Sequence, residues 1–377
     1  MRYRLSIRNI LKKFLKKFLT RIILALNGIA VVLLLLSYLS TLISPDKVWI
    51  FAFFGLAYLY ILVANLIFII YWIIIRKRYF LISLLAILLG WGQMRKFVQI
   101  RVINEKKHDS VESFKILSYN VRLFNYFKWL GDTAINNNIF DFISYKKPEI
   151  ICFQEFLTNE GGGFKKKDII EKLKGTLNLQ INYFHIVTNI KNSGIATISR
   201  FPIINKGYLK FRNSINNAIY SDIVIHSDTL RVYNCHLQSI HLKKRNYDFI
   251  DSLILQYNNK HLDEIKDISF RLRDAYIKRA RQVDILSAHI ENSPYPVIVC
   301  GDFNDTPVSY TYRKMKGKLA DAYLKSGSGI GNTYLGNFPS FRIDYILYSK
   351  KLKSLNFETM KIKWSDHYPV SCDMIIK

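Results

Sequence analysis

Acid is nearly missing from the first quarter of this 377-residue chain. Residues 1–99 hold 14 Lys and Arg against one acid, Asp46, and 41 basic and 27 acidic residues follow. Cysteine is scarce too, with four in the chain, at 152, 235, 300 and 372. So low a number excludes a small disulfide scaffold, and no C-x-x-C pair exists to suggest zinc. All four fall in apolar, strand-like runs and read as buried free thiols. No internal repeat is visible. Half of the residues are hydrophobic and 14% are aromatic, which excludes disorder. The length exceeds one ~100–200-residue domain, so the chain is divided before its composition is averaged.

Charge is absent from Ile22–Pro45, Val48–Ile75 and Tyr79–Met94. A helix needs ~20 apolar residues to cross ~30 Å of hydrocarbon. The first two runs suffice; the third has 16 residues and needs Arg78, Arg95 and Lys96 to reach outward. The runs predict an all-α membrane anchor over 1–94 with transmembrane helices at 22–44, 49–75 and 79–94. No small-residue cleavage site follows the first run, as a signal peptide requires. The runs contain no Asp, Glu, Lys, Arg or His, which fits an anchor and not a transporter. Eight Lys and Arg between Arg2 and Arg21, and Arg76–Arg78, put both segments inside a cytoplasmic membrane. Three crossings then place the rest of the chain on the outer face. If the third run only dips into the bilayer, Arg95, Lys96 and Arg101 stay inside and so does the remainder.

Residues 95–112 are polar and basic and read as a linker. Beyond it, 113–377 alternates short β-rich runs with helical stretches. Strands are expected at Phe114–Asn120, Ile150–Gln154, Ile195–Ser199, Tyr220–His226, Thr229–Cys235, Val297–Cys300, Ile343–Tyr348 and Val370–Ile376, with a hairpin turn at Ser227-Asp228. Helical patterns cover 136–146, 165–178 and 272–291. Interleaving of this kind predicts an α/β fold of two packed sheets covered by helices. The polar stretch 238–271 reads as an insertion containing a helix.

Polar residues interrupt the strands in a pattern. Asn120 ends FKILSYN, Gln154 and Glu155 end ICF, and Asn234 and His236 close LRVYNCHL. Asp302, Asn304 and Asp305 follow VIVCG, Asp344 opens DYILY, and Asp366-His367 precede the last strand. Each alone is ordinary turn chemistry. Gathered at one rim, they supply carboxylates, amides and two imidazoles, the groups that hold a hard cation beside a phosphate.

The ordered series SYNVR, QE, NCHLQ, GDFND, RIDYI and SDHYPV, with SGIATISRFPI at 193–203, resembles the endonuclease/exonuclease/phosphatase superfamily over 114–377. That family includes DNase I, apurinic endonucleases, inositol-polyphosphate 5-phosphatases and neutral sphingomyelinases. The resemblance implies a DNase I-like four-layer α/β sandwich, here preceded by the transmembrane segment. It implies a Mg2+ cofactor, replaceable by Mn2+, with Asn120, Glu155, Asp302 and Asp366 as metal residues. It implies His236, Asp302, Asn304, Asp344 and His367 as catalytic residues. Asp344 then orients His367, and Asp302 or His367 takes the proton of the attacking water. Arg122 stands where apurinic endonucleases carry an acid, which with His236 argues against that branch. Arg122 is left open between a substrate contact and a surface residue. Arg279, Arg281 and Gln282 read as the solvent face of a helix, and Gly161–Gly163 as a flexible turn.

The expected activity is metal-dependent hydrolysis of a phosphodiester or phosphomonoester, on a lipid headgroup or an inositol or sugar phosphate. The expected partners are that substrate and the lipid bilayer, with no obligate protein. An excess of 14 basic over acidic residues beyond residue 99 keeps a nuclease as the alternative. A catalytically inert module of the same fold is the third reading.

Overall fold

Residues 2–39 contain no proline and one glycine, and nothing interrupts α1 (Arg2–Leu39). The computed structural model describes residues 2–100, 113–127, 135–159, 165–176, 183–188, 192–242, 245, 246, 249, 260–335 and 341–377. It divides into a unit of Met1–Met94 with Val308–Tyr310, and a unit of Arg95–Pro307 with Thr311–Lys377. Within α1, Leu11–Leu39 is long and apolar enough to cross a membrane. Then come α2 (Ile50–Leu56) and α3 (Tyr58–Ile74), which meet at a 61° bend, α4 (Phe80–Leu89) and α5 (Trp91–Met94).

Against the expectation of three crossing helices, one described helix is long and apolar enough to cross, or two if the bent pair is one span. The first lies within α1, the second is a bent pair, and the third is a helix of 10 residues, about 15 Å at 1.5 Å per residue and half of a bilayer core. Gly90 follows α4 with the ring of Tyr38 packed where a Cβ would stand. Tyr38 also donates to Ala86 O at 3.0 Å.

The first unit buries a polar network among apolar side chains and leaves many aliphatic residues exposed. Asn27 Nδ2 donates to Ser83 Oγ (2.6 Å), Trp72 Nε1 to Asn27 Oδ1 (2.8 Å) and Ser83 Oγ to Asn65 Oδ1 (2.9 Å). All four are fully buried, while Leu26, Ile29, Val32, Ile67, Ile70 and Ile73 are exposed. A bundle folding in water has the opposite distribution.

The described strands of the second unit are β1 (Val98–Gln99), β2 (Ser113–Asn120), β3 (Ile150–Leu157), β4 (Tyr183–Thr188), β5 (Ser193–Ser199), β6 (Ile203–Lys210), β7 (Asn217–Ile225), β8 (Asp228–His236), β9 (Val297–Asp302), β10 (Ala320–Asp321), β11 (Gly329–Ile330), β12 (Asp344–Tyr348), β13 (Leu352–Thr359) and β14 (Val370–Ile376). Sheet one runs β10-β12-β9-β8-β7-β6 and sheet two β13-β14-β2-β3-β5-β4. Both are mixed, with β8 parallel to β9 and β2 parallel to β3.

Alternation along each strand assigns the faces. Phe114, Ile116, Ile150 and Cys152 of sheet two pack against Val232, Ile298, Cys300 and Ile346 of sheet one. The odd-numbered residues of sheet two, Leu117, Tyr119, Ile151 and Phe153, pack outward with Ile139, Phe140 and Ile143 of α6 (Ile135–Lys146) and with Ile169 and Leu173 of α7 (Lys166–Thr176). On sheet one, α8 (Lys260–Glu291) buries Tyr276, Ala280, Val283, Leu286 and Ile290 at three- to four-residue spacing. Its His289 Nδ1 meets the hydroxyl of Tyr233 on β8 at 2.8 Å. Helix–sheet–sheet–helix is the expected sandwich.

Several local expectations change. α8 begins at 260, inside the stretch read as an insertion. Strands β4, β6 and β13 went unforeseen because they are edges, and edge strands carry polar residues in place of apolar runs. The β7–β8 turn is His226-Ser227, since Ile225 pairs with Asp228 and His226 takes φ 55°. Of the residues read as linker, Phe97 is buried and β1 pairs with β11, so 95–99 belongs to the second unit. Residues 101–112 and Gly161–Gly163 lie outside the described residues.

One polar clamp ties the sheets together. Gln154 Nε2 on β3 donates to Asn234 Oδ1 on β8 at 2.7 Å. Asn234 Nδ2 returns two bonds, to Phe153 O (3.1 Å) and Ala196 O (2.9 Å). Both side chains have no exposed surface. Replacing Asn234 by Ala would remove these three buried bonds and take a donor from the carbonyls of Phe153 and Ala196, at about 1–3 kcal/mol each, while Gln154 Nε2 keeps Ser118 Oγ (3.3 Å) and Cys152 O (3.1 Å). Denaturant unfolding of full-length Asn234→Ala should show a loss of about 2–4 kcal/mol, with the midpoint lowered and the slope unchanged.

Candidate functional site

Beyond the apolar core, the same inward-facing rows continue into polar residues at the strand ends. On sheet one, His236 ends β8 opposite Asp302, which ends β9, and Asp302 lies opposite Asp344, which opens β12. On sheet two, Asn120 ends β2 opposite Gln154. Regular alternation would turn Glu155 outward with Phe153. A bulge between Phe153 and Phe156 and a φ of 48° at Glu155 bring it back to the rim. Left-handed backbone at a residue with a Cβ costs about 1–2 kcal/mol, so the packing around Glu155 holds it there. Asn304, with φ 53°, and the turn Arg122–Asn125 share this conformation.

Four of the residues expected at the site, Asn120, Asn304, His236 and His367, meet at one atom of a fifth, Asp302 Oδ2. It accepts from Asn120 Nδ2 at 3.2 Å and from Asn304 Nδ2 at 3.1 Å. It lies 3.7 Å from both His236 Nε2 and His367 Nε2. Asp344 Oδ2 meets His367 Nδ1 at 2.9 Å. Asn120 Nδ2 also reaches Glu155 Oε1 at 3.4 Å, and His236 Nε2 lies 3.9 Å from that same oxygen. Asp366 is further out, paired with Arg122 Nη1 at 3.4 Å. Arg122, a third exposed, thus faces a site carboxylate and not open surface.

Burial and charge act against each other here. Burial pushes Asp302 up to about 6, with Asp344 adding to the rise and His367 and His236 opposing it. For His367, burial favours the neutral ring, but Asp344 and Asp302 outweigh it and hold the pKa well above 6.5. His236 is lowered, first by burial. Glu155 is raised by burial and by the charge of Asp366, against His367, Asn120 and Arg122.

Asp302, Asp344 and His367 present ligand atoms within 4.8 Å of one another. Two of those atoms already hold each other in the Asp344–His367 hydrogen bond, so the trio is better described as an oriented imidazole than as an open cation site. The residues expected to hold metal fit one better. Glu155 and Asp302 share the Asn120 amide, and the charge of Asp366 disfavours ionisation of Glu155. A hard divalent cation relieves that repulsion and prefers oxygen donors. Beside them His236 Nε2 is buried without a hydrogen-bond partner among the described residues, a polar atom facing the space a ligand would fill.

The surroundings show what sequence reading missed. Arg279 and Gln282 are 1% and 3% exposed, not the solvent face expected, and only Arg281 of the three is exposed. Arg279 Nη1 donates to Gln238 O (2.8 Å) and Gln282 Oε1 accepts from Gln238 N (2.9 Å), bracing the chain just after His236. A signal was present: Arg279 lies between Tyr276 and Val283 on the apolar stripe of α8. Ser365 Oγ donates to Asn120 O (2.7 Å), and Thr333 Oγ1 accepts from Asp344 N (3.1 Å). Nothing in the sequence pairs these.

Removing the Asp344 charge should leave burial as the dominant influence on His367. Histidine-labelled Asp344→Asn should show the His367 resonance titrating more than about one unit lower than in wild type by NMR; an unmoved titration would disprove the pairing.

A family model described as the endonuclease/exonuclease/phosphatase family matches residues 117–367, the larger part of the chain. A second, described as a domain of unknown function (DUF8431), matches 20–97. No curated protein matches in sequence. Among solved structures, an endonuclease/exonuclease/phosphatase from Beutenbergia cavernae DSM 12333 is similar with a TM-score of 0.51 at 14% identity, over 70% of this chain and 72% of that one. One from Bacteroides vulgatus gives 0.51 at 15%, over 71% and 100%. A family protein from Bacteroides thetaiotaomicron gives 0.50 at 16%, over 71% and 99%. These likenesses show the shared DNase I-like fold. Members of the family hydrolyse phosphoester bonds and typically depend on a divalent metal. With its two-sheet sandwich and its match from the end of β2 to His367, this chain belongs to the endonuclease/exonuclease/phosphatase family of phosphoester-hydrolysing enzymes.

Proposed function

We propose that the protein is a membrane-anchored, Mg2+-dependent phosphoesterase that hydrolyses a phosphodiester or phosphomonoester on a lipid headgroup or an inositol or sugar phosphate. The observation that carries this reading is the convergence of two amides and two imidazoles on Asp302 Oδ2. Asn120, Glu155, Asp302 and Asp366 would hold the cation, Mg2+ or Mn2+. When bound, it supplies positive charge for the phosphoryl oxygens.

The protein's own groups do the rest. Asp344 holds His367 Nδ1, which fixes the tautomer and directs Nε2 at the reacting centre. Asp302 Oδ2 is the acceptor within reach of a water attacking in line, while His367, held protonated by Asp344 and Asp302, presents Nε2 as a donor. Asp302 is itself held on Oδ1 by Asn304 N at 2.8 Å, so its orientation is set before substrate arrives. His236 Nε2 is placed to donate to phosphoryl oxygens as charge develops there, while the Asn304 amide, bonded to Asp302 Oδ2 (3.1 Å) and Leu237 O (3.0 Å), holds the carboxylate in place.

Anchoring is supported by α1 and by the exposed aliphatic surface of the first unit. The outer face expected from sequence required 79–94 to cross. With α4 only 10 residues long, α1 and the bent pair are the two crossings. The basic groups at 2–21, 76–78 and 95–96 then all lie on the inner side with the catalytic domain. The basic excess beyond residue 99 supports a nucleic acid as second substrate reading.

Full-length protein in detergent micelles should hydrolyse bis-p-nitrophenyl phosphate with Mg2+, lose activity in EDTA and regain it when Mg2+ is restored. Glu155→Ala and His236→Ala should each lower kcat by about 100-fold or more; variants as active as wild type would remove the mechanism. Nuclease substrates would show affinity falling steeply with salt. For topology, reporters fused after Met94 should signal from the cytoplasm, and activity confined to an export-dependent reporter would restore the outer face.

A further inference from the structure

Strand β1 reverses the usual order of faces. Phe97 and Gln99 are buried, while Val98 and Ile100, on the opposite side of the strand, are 47% and 100% exposed. A strand at a water surface turns its glutamine outward and its aliphatic residues inward. Here Gln99 Nε2 donates to Arg95 O instead. β1 pairs antiparallel with β11, and Val98 stands opposite Ile330, itself 67% exposed. Directly opposed residues of an antiparallel pair project from the same face, so Val98, Ile100 and Ile330 form one aliphatic surface on a two-stranded ribbon.

The ribbon is held from behind by Tyr323, which is 1% exposed. Its hydroxyl donates to Phe97 O on one strand (2.9 Å) and to Gly329 O on the other (2.7 Å). Its ring fills the space beside Gly331, where a Cβ would lie 2.6 Å from Cζ. The three aliphatic side chains therefore stay outward and do not fold onto the core. β1 precedes residues 117–367, so half of the ribbon lies outside the part of the chain that matches the family.

What covers this face is set by the chain on either side of it. Val98 follows Met94, the last helical residue before the α/β unit, by four residues. Four residues of extended chain span at most about 14 Å, so the ribbon stays close to a unit with an exposed aliphatic surface and a helix long enough to cross a bilayer. Cations flank it: Arg95 is exposed, and Lys361 Nζ donates to Asn332 O at 2.8 Å, two residues beyond Ile330. Exposed aliphatic residues edged by cations match the layer where acyl chains meet anionic headgroups. On the other side, Thr333 follows Ile330 by three residues, at most about 11 Å of chain. Thr333 Oγ1 accepts from Asp344 N at 3.1 Å, and the ring of Tyr334 lies 5.3 Å from that of His367.

We infer that Val98, Ile100 and Ile330 dock into the headgroup layer of a bilayer, and that the catalytic rim beside them takes phosphoesters carried in that bilayer. The inference rests on the membrane-anchored phosphoesterase reading and narrows its substrate from free inositol and sugar phosphates to lipid headgroups.

The full chain in nanodiscs of phosphatidylcholine and phosphatidylglycerol tests it. All four native cysteines are buried, so an NBD fluorophore can be placed on a single introduced cysteine. Lipid spin-labelled near the headgroup should quench NBD at Val98→Cys and at Ile330→Cys about 3-fold more than at Ile204→Cys, an exposed position on the edge strand β6. Quenching equal to that at Ile204→Cys overturns the docking surface. So does a signal that ignores the lipid quencher and responds to a second copy in the same disc, because that assigns the face to a dimer. Val98→Ser/Ile330→Ser should lower hydrolysis of disc-borne phosphatidylinositol 4-phosphate, phosphatidic acid or sphingomyelin by about 10-fold, with kcat and KM for soluble bis-p-nitrophenyl phosphate unchanged. An equal loss on lipid and soluble substrates, or wild type that hydrolyses the soluble ester and none of the three lipids, overturns the lipid assignment. The two readings fail separately: strong quenching at Ile330→Cys in a protein inert toward every ester would sink the phosphoesterase reading and leave the docking surface standing.

Discussion

A carboxylate oxygen buried where two sheets meet governs the catalytic unit. Asp302 is 1% exposed, and a charge taken out of water must be surrounded by donors. Those donors come from both layers: the Asn120 amide from sheet two, the Asn304 amide from the loop after β9, and two imidazoles from either side. The arrangement therefore requires the sheets to keep their relative register. The Gln154–Asn234 clamp supplies that constraint directly below the site, and it explains why two polar side chains are tolerated with no exposed surface. The left-handed backbone at Glu155 follows from the same demand. A regular strand would present that carboxylate to the helices, so the bulge trades local backbone energy for a third carboxylate at the rim.

The first unit obeys a different solvent rule. Asn27, Asn65, Trp72 and Ser83 satisfy one another in the interior while aliphatic side chains cover the surface. Polar groups in an apolar medium must find partners within the protein. The network links α1, α3 and α4, so the short α4 is held by its neighbours whatever its depth.

Interior strands were legible because both of their faces are buried, so FKILSYN, VIVC and VSCDMII read as apolar runs. Edge strands were not: β6 carries Asn205, Lys206 and Lys210 and leaves most of its residues at least partly exposed. The candidate site was legible because its residues share the inward parity of the core rows. Asn120, His236, Asp302 and Asp344 extend the faces that hold Ile116, Val232, Cys300 and Ile346. Arg279 was misread since charge suggested water, whereas its neighbours on the helix stripe indicated burial. The end of α4 at Leu89 was not legible, because an uncharged stretch does not show where a helix stops.

The amino-acid order by itself determined which chemical groups are available, on which face of each strand they stand, and that an apolar unit precedes a basic α/β domain. Periodicity and composition are local properties, so they can be read without coordinates. Only the tertiary structure decided which strand ends meet. It brought Asn120 within 3.2 Å of Asp302 across 182 residues of chain, set Val98 opposite Ile330, and turned Arg279 inward to brace the chain just after His236. Those outcomes depend on sheet order and register, which arise from how the layers pack and from no single segment's preference.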